Sequence, residues 1–270
     1  MKYFLLSIVI FFCIMGIASC SDDGPNYTPE NAPICPEDSI AYMDFFNALN
    51  LKYNTTSPNM FIFHVWKYVE FEYDETTRYR HIARITVFRE KAAQYADSIP
   101  SSIGKLSHLR YLEIGNVKFN KNFTLPGEVF HCPLDTFIFG NWGDLEHVGI
   151  MGKLPSEIKM AKNTLKYLSI EGTALSELCE ELADLTQLEK CILTYNRLSG
   201  RVPDYIGDMC AKVELSYNHY TEFNWRQVIE GKNIPNLYWN YINNEIPPEL
   251  KEFPFPKEIV WMLKSQNTPK

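Results

Sequence analysis

The sequence has no long basic run, no Cys-x-x-Cys pair and no glycine-rich phosphate loop, and its formal net charge is -7. A chain of that sign without a basic stripe has little with which to meet a phosphate backbone, so nucleic acid is not an expected partner. Without closely spaced cysteines no metal site is expected, and no cofactor is implied. His64, His81, His108, His131, His147 and His219 stand apart from one another, and neither His-Glu-x-x-His nor Gly-x-Ser-x-Gly occurs. No enzyme is therefore expected. Signs of disorder are also missing. With 46% hydrophobic and 22% charged residues in 270, the composition is that of a folded chain.

What the chain does contain is a repeated phrase, clearest in Leu185 to Ile206, LTQLEKCILTYNRLSGRVPDYI. Side chains alternate along an extended strand, so Cys191 and Leu193 share one face while Lys190, Ile192 and Thr194 share the other. Asn196 follows where the chain must turn, and its amide can bond backbone groups that the turn leaves without partners. Pro203 ends strand pairing and starts the return. One such unit cannot bury its own apolar edge; it needs copies on either side.

Copies are present. Strand-like apolar pairs recur at Ile85/Val87, Leu112/Ile114, Phe137/Phe139, Leu168/Ile170, Cys191/Leu193, Val213/Leu215 and Leu237/Trp239, in steps of 27, 25, 31, 23, 22 and 24 residues. The proline return recurs at Pro100, Pro126, Pro155, Pro203 and Pro247, and is degenerate at Leu175-Ser-Glu-Leu178 and at Phe223 to Val228. Asn196 and Asn218 keep the turn asparagine, whereas Thr173 and Val117 replace it. The order Leu188, Cys191, Leu193, Asn196, Leu198, then Leu198-Ser-Gly-x-Val202-Pro203, resembles the plant-type leucine-rich repeat. That resemblance implies an α/β solenoid, a horseshoe with one curved parallel sheet, and a ligand taken on its concave face.

The ends read differently. Met1 to Cys20 carries one early lysine and then an apolar run that ends in small residues, the form of a secretory signal. Ile17-Ala18-Ser19-Cys20 resembles the lipobox of bacterial lipoproteins, which implies lipidation at Cys20, and Ser21-Asp22-Asp23 resembles the acidic export signal of Bacteroidetes surface lipoproteins. Two or more acyl chains would anchor the protein stably to the outer membrane. The expected division is a signal peptide at 1–19, a lipidated cysteine and flexible tether at 20–36, an N-terminal cap at 37–83, about seven repeats at 84–250 and a C-terminal cap at 251–270. Within the first cap, a helix over Asp38 to Leu51 buries Ile40, Ala41, Met43, Phe45, Phe46 and Leu49 and is capped by Asp38 or Ser39, and a hairpin turns at Asp74 to Thr77. That order, with Trp66, resembles the cap of plant leucine-rich repeat receptors without its paired cysteines. Glu258 to Leu263 reads as an eighth strand within the C-terminal cap. The five cysteines after Cys20 read as small core residues, apart from Cys35 in the tether. Asp38-Ser39-Ile40 and Asp97-Ser98-Ile99 resemble a short O-glycosylation motif of Bacteroidetes.

Function is expected on the open face of the sheet, where side chains are not needed for folding. Its central row is Thr86, Glu113, Ile138, Ser169, Ile192, Glu214 and Tyr238, and the next row includes Glu171. Tyr195, Tyr217 and Tyr241 form a third row as a ladder of rings, with Tyr238 alongside; Arg84, Tyr111, Tyr167, Lys190 and Lys212 make up most of the opposite border. Tyrosines offer wide amphipathic contact at low entropic cost, which suits a protein, peptide or polysaccharide ligand. The same rings could instead only cover the edge of the asparagine turn. The alternative is an envelope scaffold that holds a neighbouring protein through its convex side or through the loop Gly140 to Lys153, with Trp142 and His147, and leaves the concave face idle. Glu113, Glu171 and Glu214 sit at the outer edge of the spacing that inverting glycosidases use, the least favoured of the readings.

Overall fold

The computed structural model describes residues 27–49, 69–88, 96, 98–117, 119–120, 122–140 and 150–267. Cys20 with its leader, Trp66, and Trp142 and His147 of the inserted loop lie outside the described residues. The strands are β1 (Val69–Asp74), β2 (Tyr79–Phe88), β3 (Tyr111–Gly115), β4 (Thr136–Gly140), β5 (Met151–Lys153), β6 (Tyr167–Glu171), β7 (Ala174–Glu177), β8 (Lys190–Ile192), β9 (Ser199–Arg201), β10 (Lys212–Glu214) and β11 (His219–Glu222). The helices are α1 (Pro36–Ala48), α2 (Arg226–Ile229) and α3 (Lys257–Lys264). Among the described residues no helix is long and apolar enough to cross a membrane.

One sheet runs β1-β2-β3-β4-β6-β8-β10, and every pairing after the antiparallel β1–β2 hairpin is parallel. The register aligns Ile85, Leu112, Phe137, Leu168, Cys191 and Val213 in one row. All are at most 2% exposed, so each coil's apolar pair is buried by the coils beside it. A residue of this size contributes roughly 1.5–3 kcal/mol when fully buried, and only stacking makes that burial available. The returns are 3-10 turns, each following its proline: Ser101–Lys105, Gly127–His131, Ser156–Ala161, Asp204–Asp208 and Pro248–Leu250. Beyond the asparagine turns, β5 pairs with β7 and β9 with β11, two short parallel sheets.

Several expectations are corrected. The seventh core pair is Pro235/Leu237 and not Leu237/Trp239, because Asn240 occupies the buried turn position there; the last step is therefore 22 residues. Proline has no N–H to donate, and this coil joins the sheet by a single bridge, Asn236 to Glu214. The degenerate return is Leu178-Cys179-Glu-Glu-Leu182, with Cys179 in the proline place before the turn at Glu180–Asp184; Leu175 lies on β7 instead. Glu258 to Leu263 is helical, and α3 buries Ile259 and Met262. Cys210 is exposed, while Cys132, Cys179 and Cys191 are buried.

The N-terminal segment also differs. Ile34 bridges to Arg80, Cys35 N donates to Arg80 O at 2.9 Å, and Arg80 N donates to Pro33 O at 2.8 Å. Pro33 to Cys35, expected in the tether, therefore extend the hairpin by a short parallel run. Asp38 does not cap α1; it is buried, and its Oδ2 accepts from Ile82 N at 2.7 Å. Tyr42 replaces the exposed Ile40 on the buried face of α1. Ser39 lies inside this helix and donates to Cys35 O, so Asp38-Ser39-Ile40 is not presented as a loop. The hairpin turn at Asp74 to Thr77 is as expected.

Candidate functional site

After its second core residue each coil must turn, and one position takes the turn in the left-handed region: Asn116, Gly172, Tyr195, Tyr217 and Trp239, with φ between 55° and 63°. Glycine and asparagine accept that conformation readily, but a bulky side chain pays about 1–2 kcal/mol for it. In the last three coils the position nonetheless holds Tyr, Tyr and Trp.

The turn itself is set by asparagines. Asn218 Nδ2 donates to Leu193 O at 2.9 Å and Leu215 O at 3.0 Å, and its Oδ1 accepts from Leu198 N at 3.1 Å. Asn196 spans Ile170 O and Leu193 O, and Asn240 spans Leu215 O and Leu237 O. Thr173, which stands where an asparagine would, donates its hydroxyl to Asn196 Oδ1 at 2.6 Å. Neighbouring coils thus share carbonyls through a buried amide ladder. The fold is a solenoid of stacked coils on one mostly parallel sheet.

No known family profile matches the chain. Receptor like protein 22 of Arabidopsis thaliana is 29% identical over 128 residues, which is 44% of this chain and 15% of that protein. Among solved structures, a plant ice-binding protein matches with a TM-score of 0.60 at 19% identity, covering 79% of this chain and 66% of that one. A leucine-rich repeat protein of Leptospira interrogans gives a TM-score of 0.38 at 24% identity, covering 64% of this chain and 51% of that one. The chain thus spans only part of these relatives, and the likeness to the ice-binding protein is one of fold.

The solenoid aligns the three strained aromatics into a file. The rings of Tyr195 and Tyr217 stack at 4.1 Å with 9° between planes, and Trp239 continues the file at 5.9 Å from Tyr217. They are 43%, 39% and 45% exposed. The Tyr217 hydroxyl, hydrogen-bonded to that of Tyr195, holds the Tyr195 phenol above its usual pKa. Tyr241 lies one row further out, stacked on His219 at 5.6 Å, so the expected third ring of the ladder is Trp239 in its place. Tyr238 belongs to the row inside the file, where its hydroxyl donates to Glu258 O at the start of α3.

The acidic residues are each held by neighbours. Tyr111 donates to Glu113 at 2.7 Å; Ser169 and Thr194 each donate to Glu171 at 2.7 Å. Glu214 pairs with Lys212 at 2.9 Å and accepts from Asn236. Burial, reinforced by Glu113, pushes the Tyr111 phenol up to about 12. On the opposite border two cations lie over neighbouring rings, Arg84 3.7 Å from the Tyr111 ring and Lys190 5.7 Å from that of Tyr167. Sequence reasoning missed Trp239 and His219. Counting back from Asn240, which stands 22 residues after Asn218 as that does after Asn196, would have found both.

Proposed function

We propose that this protein is a cell-surface recognition module that binds a protein or peptide, or a polysaccharide, on the open face of its sheet. The observation that carries this reading is the file Tyr195–Tyr217–Trp239: three exposed rings in a backbone conformation that costs the fold energy. Strain of this kind concentrates where a structure serves something other than its own stability. The flat rings would supply apolar contact, and the fixed carboxylates and border cations would orient polar groups of the ligand. Because Glu113, Glu171 and Glu214 each have committed partners, the face reads as recognition rather than catalysis.

In the same reading the sheet curves as a horseshoe, α1 with the β1–β2 hairpin caps its first edge, and α3 closes the other. The protein would stand on the outer membrane, tethered by a lipid on Cys20. The test is a peptide and glycan array probed with the chain from Ser21 onward, beside the same chain carrying Tyr195→Asn, Tyr217→Asn and Trp239→Asn. Signals that vanish in the triple variant are expected. Equal signals in both would refute binding through the aromatic file, and no signal beyond background from either would refute recognition of these ligand classes.

A further inference from the structure

Far from the aromatic file, at the hairpin that begins the sheet, His81 on β2 is 6% exposed, and its Nδ1 has no hydrogen-bond partner. Buried polar atoms are nearly always paired, so an orphan calls for a cause. This nitrogen faces the carboxylate of Asp38, 3.4 Å away at Oδ2, and the thiol of Cys35; one ligand atom from each of the three lies within 4.8 Å of the others.

Each group is held from behind. Cys35 N is bonded to Arg80 O, and Asp38 Oδ2 accepts from Ile82 N at 2.7 Å. His81 Nε2 is 3.3 Å from Thr77 Oγ1, and the Thr77 hydroxyl donates to Asp74 Oδ2 at 2.9 Å. If Nε2 carries the proton and donates it to Thr77, Nδ1 turns a lone pair toward a carboxylate and a sulfur. Three electron-rich atoms then converge in a largely buried place with no positive charge between them.

We propose that Cys35 Sγ, Asp38 Oδ and His81 Nδ1 bind a divalent cation of the zinc class. A thiolate, an imidazole and a carboxylate form a borderline-soft donor set that suits Zn²⁺, with water in the fourth position of a tetrahedron. The relay from Asp74 through Thr77 to Nε2 is the outer support that metal-binding histidines use to fix their tautomer. Asp74, His81 and His108 also approach one another on the opposite side of the ring. The imidazoles of His81 and His108 are stacked at 4.0 Å and 23°, however, so their in-plane lone pairs do not converge on one ion. Bound at the first trio, the ion would tie the segment before α1, and α1 itself, to β2. No local motif announces this site, because the fold alone brings Cys35 and Asp38 to His81.

The test is titration of the full chain, purified without a histidine tag, with Co²⁺ and then Zn²⁺. Uptake of one Co²⁺ per chain is expected, with a thiolate-to-cobalt charge-transfer band and tetrahedral visible bands that Zn²⁺ abolishes. Cys35→Ser should remove the charge-transfer band, and both it and His81→Gln should weaken binding at least tenfold; Cys210→Ser should change neither. Cys35 is only half-buried, so its variant should remain folded by circular dichroism even if His81→Gln does not. Absence of stoichiometric uptake, or a charge-transfer band that survives in Cys35→Ser, would overturn the proposal.

Discussion

Replacing Asn218 with alanine tests the ladder that joins one coil to the next. The side chain bonds three buried groups at 3.1 Å or less, Leu198 N, Leu193 O and Leu215 O, with Ser216 O a longer contact at 3.3 Å. These are not equal losses. Leu193 O keeps its bond from Asn196 and Leu215 O keeps that from Asn240, so only the Leu198 N–H is orphaned by loss of the side chain. An orphaned buried donor costs about 1–3 kcal/mol, and each weakened carbonyl adds about 0.5 kcal/mol, giving about 2–4 kcal/mol in all. Urea unfolding followed by circular dichroism should show this as a lower midpoint with the slope retained. Asn218→Asp, which keeps the shape but loses both amide donors, should be at least as damaging. A loss below about 0.5 kcal/mol for the alanine variant would refute the view that the amide couples the coils.

Gly104→Ala should cost about 1–3 kcal/mol, because its new Cβ would meet the backbone oxygen of Glu128 in the next 3-10 turn at 2.7 Å; urea unfolding reads the loss. The Tyr111 phenol is raised in the folded protein, so its contribution is fully present below the unfolded value near 10 and is lost as pH climbs through about 12. Stability measured across that window should therefore fall less steeply in Tyr111→Phe than in the parent chain.

The repeat was legible because its signal is redundant: strand pair, asparagine and proline recur together, and where one degenerates the others hold the count. The last coil shows where redundancy fails. Counted by alternation, Leu237 and Trp239 look like an inward pair; counted by asparagine spacing, Leu237 is the second core residue and Trp239 the turn. A left-handed tryptophan has no sequence signature, since its cost would argue against placing it there. The role of Asp38 was hidden for a different reason. As the third residue of a helix it looks like a cap, and only the long-range approach of β2 makes it a buried acceptor. Cys179 in the proline place was equally unmarked, because a small apolar side chain satisfies the same packing without the same letter. The carboxylate row was readable by position, but its partners depended on which rotamers the neighbours adopt.

The claim on which the rest depends is that Tyr195, Tyr217 and Trp239 are kept for a partner and not for the fold. The most direct measurement is the unfolding free energy of the chain carrying all three asparagine substitutions. Relief of about 1 kcal/mol of strain at each position offsets the loss of two stacked contacts worth about 0.5–1.5 kcal/mol each. Stability should therefore stay within about 2 kcal/mol of the parent. A fall of about 4 kcal/mol or more would show that the rings serve to shield the asparagine ladder, contradicting the account.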